Sequence, residues 1–285
     1  MGYCNLAVEE DVATNNFANI RTLLCKAQRK VFGKWLFYQT SVDEYGNIIP
    51  MRRLGPLNQW LMEKGYTPPW IFTQRECQEY WKSITNTSSA NRPSEYAAKS
   101  QEIVQFLHQF WAPHIGTEDI ILELGCNCGA NLNGLLCRGY KHLHGMEINE
   151  TAISQMKCSF PDLAGIATIL VGSLEELLPK APTAGVDVIF TMAVLIHIHP
   201  RSNYLFDEMV RVARKYICVV ENETANCAYV FSRNYRRVFE RLGCSHVKSV
   251  LITKSAFPET PSGYYGYTAR LFQVPQTKGM RPLIG

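Results

Sequence analysis

The sequence lacks the features of a membrane-spanning or secreted chain. No apolar run reaches about 18 residues, so we expect no transmembrane helix. The first residues include Glu9, Glu10 and Asp11 and contain no apolar stretch, so we expect neither a signal peptide nor a transit peptide. None of the ten cysteines forms a Cys-x-x-Cys pair, which favours reduced thiols over a zinc or disulfide framework. A cytoplasmic location is therefore expected.

Two phosphate-binding signatures are also missing. Gly125 and Gly129 are four residues apart, and Asn127 stands where a dinucleotide fingerprint needs its second glycine. No Gly-Lys-Ser or Gly-Lys-Thr follows the same strand-like run, Ile121–Leu124, so a P-loop does not fit either.

A glycine-bracketed turn and an acid at the end of the next predicted strand nevertheless indicate a nucleoside site. Ile121–Leu124 reads as a buried strand that enters a glycine-bracketed turn and then a helix, and such a turn lets backbone N–H groups approach a ligand closely. Glu147 closes the next predicted strand, where an acid can accept hydrogen bonds from both hydroxyls of a ribose. Together these features predict a pocket for a nucleoside-containing cofactor.

The Glu-x-Gly-x-x-x-Gly pattern from Glu123 to Gly129 resembles motif I of the class I S-adenosylmethionine (SAM) methyltransferases. The run 125–132 is similar to the Gly-Cys-Asn-x-Gly-x-Asn-Leu form of methylases associated with pseudaminic acid biosynthesis, and the segments 190–200 and 216–221 resemble the same group. The resemblance covers roughly residues 78 to 245. It implies SAM as the cofactor and S-adenosylhomocysteine as the product.

The expected fold is α/β and Rossmann-like, with a seven-stranded, mostly parallel sheet that ends in an antiparallel hairpin. Alternating strands and helices after residue 116 predict this core over 116–285, preceded by a mainly helical cap and lid over 1–115. The strands are predicted at about 119–124, 142–148, 167–172, 186–192, 216–221, 246–252 and 267–274. The helices are predicted at about 93–111, 131–137, 150–160, 200–213 and 233–242.

The resemblance assigns cofactor contacts to residues at the ends of the predicted strands. Glu123 is expected to orient the methionyl amine, Glu147 to bind the ribose, and Met192 to line the methyl-transfer channel. The other expected cofactor contacts are Gly125, Asn127 and Gly129 in the turn, Ile148 after Glu147, and Ser173 and Leu174 beside the adenine.

Catalysis and acceptor binding are assigned to residues around the same edge of the sheet. His197 and His199 follow the fourth strand, where open α/β sheets bind ligands, and a histidine can accept a hydroxyl proton near neutral pH. Glu221, which ends the fifth strand, is a further catalytic candidate. The predicted acceptor-binding residues are Tyr80, Trp81, Arg92, Tyr96 and Tyr235. His142 and His144 share a strand face but lack a third ligand, so no metal is expected.

The favoured hypothesis is transfer of a methyl group to a hydroxyl or amine of a small molecule, either a sugar-like or another polar metabolite. A macromolecular methyltransferase is the first alternative, because Arg21 to Lys34 form the basic face of a predicted amphipathic helix that could hold RNA or an acidic protein. An inactive methyltransferase-like binding protein is the second. No Asn/Asp-Pro-Pro-Tyr/Phe sequence follows the fourth strand, which argues against methylation of the exocyclic amines of DNA or RNA bases.

Overall fold

The computed structural model describes residues 27, 60–62, 66–68, 71–88, 90–98, 102–227, 229–257 and 264–275. The predicted basic helix from Arg21 to Lys34 lies outside this part of the chain, apart from Ala27, and so do residues 258–263. Within the described ranges, no helix is both long enough and apolar enough to cross a membrane.

Helices and strands alternate along the core. The helices are α1 (Gln74–Ser83), α2 (Pro93–Ala97), α3 (Glu102–Trp111), α4 (Ala130–Leu136), α5 (Glu150–Ser159), α6 (Pro161–Ile166), α7 (Leu174–Leu177), α8 (Leu205–Val212) and α9 (Tyr235–Arg241). The strands are β1 (Ile120–Leu124), β2 (His142–Glu147), β3 (Thr168–Val171), β4 (Val186–Met192), β5 (Ala213–Glu221), β6 (Asn226–Cys227), β7 (Val230–Phe231), β8 (Ser245–Leu251) and β9 (Thr268–Gln273).

Seven of these strands form one sheet in the order β3-β2-β1-β4-β5-β9-β8. Strands β1 to β5 run parallel, whereas β9 is antiparallel to both β5 and β8. The predicted Rossmann-like methyltransferase fold with its antiparallel C-terminal strands is therefore confirmed. The strand order reverses between β1 and β4, and at such a switch point the ends of the strands leave a crevice for a ligand.

The apolar central strands explain why the middle of the sheet is buried on both faces. Successive residues of β4 point to opposite sides, so Phe190 packs with Trp111 and Leu132 in one core cluster while Ile189 packs with Phe206 in the other. The helices of the core cover both faces. This rigid centre holds the carboxyl ends of β1, β2 and β4 side by side.

Several predicted boundaries were wrong. The single helix expected over 93–111 is two helices, α2 and α3. The helix expected over 200–213 is a 3₁₀ turn, Pro200–Ser202, followed by α8. Strand β5 begins at Ala213 because that residue pairs with Val186 of β4, a long-range contact that local periodicity cannot reveal. The short β6–β7 hairpin was not predicted.

The buried side chain of Asn149 links the helical segment before the core to the core itself. The amide of Asn149 donates hydrogen bonds to the carbonyl oxygens of Trp81 at 3.1 Å and Ile84 at 2.8 Å. Its Oδ1 accepts from the backbone N–H groups of Thr151 and Ala152 at the start of α5. The C-terminal end of α1 is thereby held beside the end of β2.

Candidate cofactor and acceptor site

The turn after β1 has a left-handed backbone at three positions. Gly125, Asn127 and Gly129 have φ values of 68°, 48° and 74°, and asparagine is the non-glycine residue that adopts this conformation most readily. A Cβ on Gly125 would lie 2.6 Å from a methyl group of Val194. The turn therefore requires glycine at its first position and tolerates asparagine at its middle.

Glu147 ties the end of β2 to this turn. Its carboxylate accepts hydrogen bonds from the backbone N–H of Asn127 at 2.7 Å and from that of Asn149 at 2.9 Å. Burial raises the pKa of Glu147, while the backbone N–H groups of Asn149, Asn127 and Ile148 oppose the shift. The side chain is 7% exposed and borders the cleft described below, so its remaining lone pairs are available to ligand hydroxyls.

Glu123 presents a buried carboxylate oxygen that has no partner in the described part of the protein. One oxygen, Oε1, accepts a hydrogen bond of 2.7 Å from the Asn131 amide, whereas Oε2 is buried and unpaired. Burial raises the pKa of this carboxyl group well above its usual value. An unpaired buried oxygen at a cleft suits a charged donor such as a ligand ammonium group, because pairing relieves the desolvation cost.

A cleft of about 730 Å³ opens at this edge of the sheet. Its wall includes seven of the nine predicted cofactor residues, which are Glu123, Gly125, Asn127, Glu147, Ile148, Leu174 and Met192. The other two do not border it. Gly129 is the N-cap of α4, and a Cβ there would lie 2.7 Å from both Leu163 and Met156. Ser173 is 2% exposed at the N-cap of α7, so Gly172 and Leu174 line the cleft on either side of it.

The two cysteines of the turn, Cys126 and Cys128, are buried free thiols. Burial raises the pKa of Cys126 well above its usual value and that of Cys128 to about 11. Burial thus disfavours the thiolate form that redox chemistry or metal binding needs, which suits small side chains packed in a tight turn.

The two histidines after β4 differ in their free nitrogen atoms. His197 Nδ1 lies 3.1 Å from the carbonyl oxygen of Tyr229, which can only accept, so Nδ1 carries the proton and Nε2 has the lone pair. His199 Nδ1 instead accepts from the Arg201 N–H at 3.1 Å. Its ring also donates to the Phe72 backbone, so both nitrogens of His199 are occupied. Only His197 therefore keeps a basic nitrogen.

Burial lowers the pKa of His197 to about 4, against a smaller opposing effect of the Tyr229 carbonyl. The pKa of His199 is also lowered to about 4 by burial, with the nearby Arg201 and Arg233 adding to the shift. Both rings are neutral at physiological pH. The His197 ring borders the cleft and touches Trp81, with ring centroids 4.6 Å apart.

Glu221, predicted as a catalytic group, does not border the cleft and instead holds the loop that carries His197. The carboxylate is fully buried and accepts hydrogen bonds from the backbone N–H groups of Val194, Leu195 and Ile196 at 3.0, 3.0 and 3.3 Å. The Thr191 hydroxyl also donates to it at 2.9 Å. Burial raises the pKa of Glu221 to about 7, while these hydrogen bonds oppose the shift.

Arg233 completes the support of this loop. Its guanidinium is buried and donates to the carbonyl oxygens of Leu195 at 3.0 Å and Ile198 at 2.7 Å. Glu221 at the end of β5 thus binds N–H groups of the loop 194–198, and Arg233, which follows β7, binds its C=O groups. His197 is positioned by both.

Of the predicted acceptor-binding residues, only Trp81 and Tyr96 border the cleft. Tyr80 supports Trp81 from behind, with ring centroids 5.1 Å apart in an edge-to-face arrangement. Arg92 forms an ion pair with Glu95. Tyr235, which was predicted to face the acceptor, is fully buried in the core beside Phe206 and does not border the cleft.

Sequence reasoning missed three residues of the site. Asn149 could have been found, because an asparagine that precedes an acidic first helical turn is a common N-cap. Gln74 and Gln78 border the cleft with Trp81. Their spacing of i, i+4 and i+7 puts them on one helix face, but only the tertiary structure shows that this face meets the cofactor edge.

The comparisons with known proteins agree with this architecture. Residues 121–216 match a family model described as a methyltransferase domain. A search of curated proteins found no match to the chain.

Two solved methyltransferases have a similar fold at low sequence identity. Magnesium protoporphyrin IX methyltransferase from Synechocystis PCC 6803, with bound S-adenosylhomocysteine, is 12% identical, with a TM-score of 0.53 over 70% of this chain and 100% of that one. Geranyl diphosphate C-methyltransferase from Streptomyces coelicolor A3(2) is 11% identical, with a TM-score of 0.51 over 71% of this chain and 98% of that one.

The strand order and the family match agree. The chain has the Rossmann-like methyltransferase fold and carries a methyltransferase domain over residues 121–216, which makes it an enzyme.

Proposed function

We propose that the protein transfers a methyl group from SAM to a hydroxyl or amine of a small polar acceptor in the cytoplasm. The observation that carries this proposal is the pair of carboxylates, Glu123 and Glu147, at neighbouring strand ends of one cleft. The cleft volume of about 730 Å³ falls in the range of roughly 300–1,000 Å³ typical of small-molecule sites. The resemblance of residues 125–132 to methylases associated with pseudaminic acid biosynthesis favours a sugar-like acceptor.

The residues of the cleft fit the cofactor at two points. The unpaired Oε2 of Glu123 would accept a hydrogen bond from the methionyl ammonium group. Glu147, already held by two backbone N–H groups, would accept from the ribose hydroxyls. When bound, SAM supplies an electrophilic methyl group on a positively charged sulfur.

We infer that His197 is the general base toward the acceptor. Its Nδ1–H is held by the Tyr229 carbonyl, which leaves Nε2 as the proton acceptor of the neutral ring. A neutral imidazole with a low pKa is a weak base, so His197 removes the acceptor proton as the methyl group is transferred and not beforehand. His199 takes no part in this step, because its nitrogens are used in hydrogen bonds.

The predicted division of the chain agrees with this function. We propose that residues 1–115 form a cap that shapes the acceptor pocket and that residues 116–285 form the SAM-binding core. In support of this, Trp81 and Tyr96 of the cap and Glu123 of the core border the same cleft.

Isothermal titration with S-adenosylhomocysteine tests the proposal directly. Saturable binding at one site per chain is expected. Binding should be lost in the Glu147→Ala variant and kept in Glu118→Ala, which removes an exposed carboxylate paired with Lys141. Absence of binding to the wild-type protein would refute the proposed function.

A further inference from the structure

We propose that the cleft-facing side of α1 is the acceptor subsite and that it takes an uncharged ring bearing hydroxyl groups. This inference rests on the proposed methyl transfer and adds the chemical class of the acceptor. Three side chains carry it: Gln74, Gln78 and Trp81.

These side chains lie on one face of α1. Positions 74, 77, 78 and 81 have the helical spacing i, i+3, i+4 and i+7, and all four residues border the cleft. On the solvent side, Arg75 pairs with Glu79, and both side chains are exposed. Helix α1 therefore presents two amides and an indole to the ligand and keeps its ion pair in water.

The two amides are available for a ligand. Both glutamines are half-buried, and within the described residues neither side-chain amide makes a hydrogen bond. An amide group donates as well as accepts, which is the pairing that a hydroxyl group needs. Two such amides one helical turn apart can bind two hydroxyl groups of one small molecule.

Trp81 supplies a platform for a ring. Tyr80 packs against it edge-to-face with centroids 5.1 Å apart, and Asn149 holds its backbone carbonyl at 3.1 Å. The indole is therefore fixed before a ligand arrives. Because His197 lies 4.6 Å from Trp81 between ring centroids, a ring stacked on the indole would place one of its hydroxyl groups near the base.

The charges of the cleft oppose an anionic acceptor. Among the described residues that line it there is no lysine or arginine, and the acidic side chains are Glu95, which is paired with Arg92, and Glu123, Glu147 and Glu175. A carboxylate or phosphate would therefore lose its hydration in the cleft and find no cationic side chain on the wall to replace it. A protonated amine is disfavoured for a different reason, because it has no lone pair with which to attack the methyl group. An uncharged ring suits both conditions.

The experiment uses the full chain, methyl-labelled SAM and a small-molecule cell extract separated into neutral, cationic and anionic fractions, with the macromolecules kept apart. Label is expected in the neutral fraction, and ultraviolet absorbance of the product distinguishes an aromatic alcohol from a sugar. Label mainly in any other fraction would overturn the inference. If S-adenosylhomocysteine binds but no fraction is labelled, the acceptor class is also wrong. Failure to bind S-adenosylhomocysteine would instead refute the proposed function.

Variants of α1 test the subsite itself once a labelled product is in hand. Gln74→Ala and Gln78→Ala should each lower kcat/KM for the acceptor about tenfold, the loss expected for one hydrogen bond. Affinity for S-adenosylhomocysteine should stay unchanged. Arg75→Ala and Glu79→Ala, on the solvent side of the same helix, are the matched controls. If the glutamine variants lose no more activity than these controls, α1 is not the acceptor subsite.

Discussion

The carboxylate of Glu147 accepts a hydrogen bond of 2.7 Å from the backbone N–H of Asn127, a residue held in the left-handed conformation. This contact joins the end of β2 to the turn after β1. The acid that would bind the ribose thus also fixes the loop over which the cofactor would pass.

Glu147→Ala should abolish high-affinity cofactor binding. The substitution removes the ribose contacts and leaves the N–H groups of Asn127 and Asn149 without their acceptor. Because a hydrogen bond to a charged group contributes about 1.5–3 kcal/mol, affinity for S-adenosylhomocysteine should fall about 100-fold or more by calorimetry. A loss smaller than about threefold would contradict the ribose role.

Glu123→Gln should weaken binding and stabilise the ligand-free protein. Burial raises the folded-state pKa of Glu123 above its ordinary value of 4.5, so its favourable contribution is lost as the pH rises above about 4.5. At pH 7 the neutral amide removes this cost, and Tm should rise. Affinity for SAM should fall about tenfold or more, because the ammonium group loses its charged partner.

The pH dependence of Tm serves as a control for the Glu123→Gln variant. Near pH 4 the wild-type carboxyl group is protonated, so the Tm difference between the two proteins should shrink. A Tm difference that stays constant between pH 4 and 7 would show that Glu123 is not desolvated as described.

His197→Gln should lower kcat by about 10²- to 10⁴-fold, the usual contribution of a general base. Because its pKa is lowered to about 4, the acid limb of the kcat/KM profile attributable to His197 should lie near pH 4 and not near 6.5. The folded pKa lies below the unfolded value of 6.5, so stability should fall as the pH drops from about 6.5 to 4. An acid limb near pH 6.5 would contradict this.

His199→Gln is the matched control for His197. His199 is 3% exposed and bonds to the Arg201 N–H, so its replacement should lower Tm and leave the position of the acid limb unchanged. A loss of kcat as large as that of His197→Gln, in a folded protein, would instead give His199 a direct role.

Gly129→Ala should destabilise the protein, whereas Gly165→Ala should not. Gly129 has φ of 74°, and a Cβ there would meet Leu163 and Met156 at 2.7 Å. A left-handed residue and an overpacked contact each cost about 1–3 kcal/mol. A Cβ on Gly165 in α6 meets nothing within 4 Å, and alanine is the better helix former by about 1 kcal/mol. Urea unfolding of the two variants measures both effects.

Asn149→Ala should weaken the attachment of α1 to the core. The variant loses the hydrogen bonds to the carbonyl oxygens of Trp81 and Ile84 as well as the N-cap of α5. We expect faster amide exchange in α1 and a higher KM for the acceptor, with a loss of about 2–4 kcal/mol in the free energy of unfolding. Asn149→Asp keeps the cap but not the donors. If it retains the wild-type exchange rate, the link to α1 is not what holds the helix.

Local chemistry made much of the fold predictable. The buried runs at β1 and β4 and the glycine turn specify a strand, a tight turn and a helix over a few residues. The positions of Glu123 and Glu147 follow from the same pattern, because parallel strands end at one edge of a sheet. Helices α2 and α3 and the start of β5 were misjudged because they depend on pairing and packing with distant segments.

The amino-acid sequence by itself determined which groups stand at the strand ends, since alternation, glycine and capping residues act over a few neighbours. The tertiary structure alone decided what those groups can do. His197 and His199 are two residues apart, yet only the distant Tyr229 carbonyl and the Phe72 backbone give one ring a free basic nitrogen and occupy the other. Likewise, Glu221 became a buried support for the His197 loop because folding surrounded it with N–H donors.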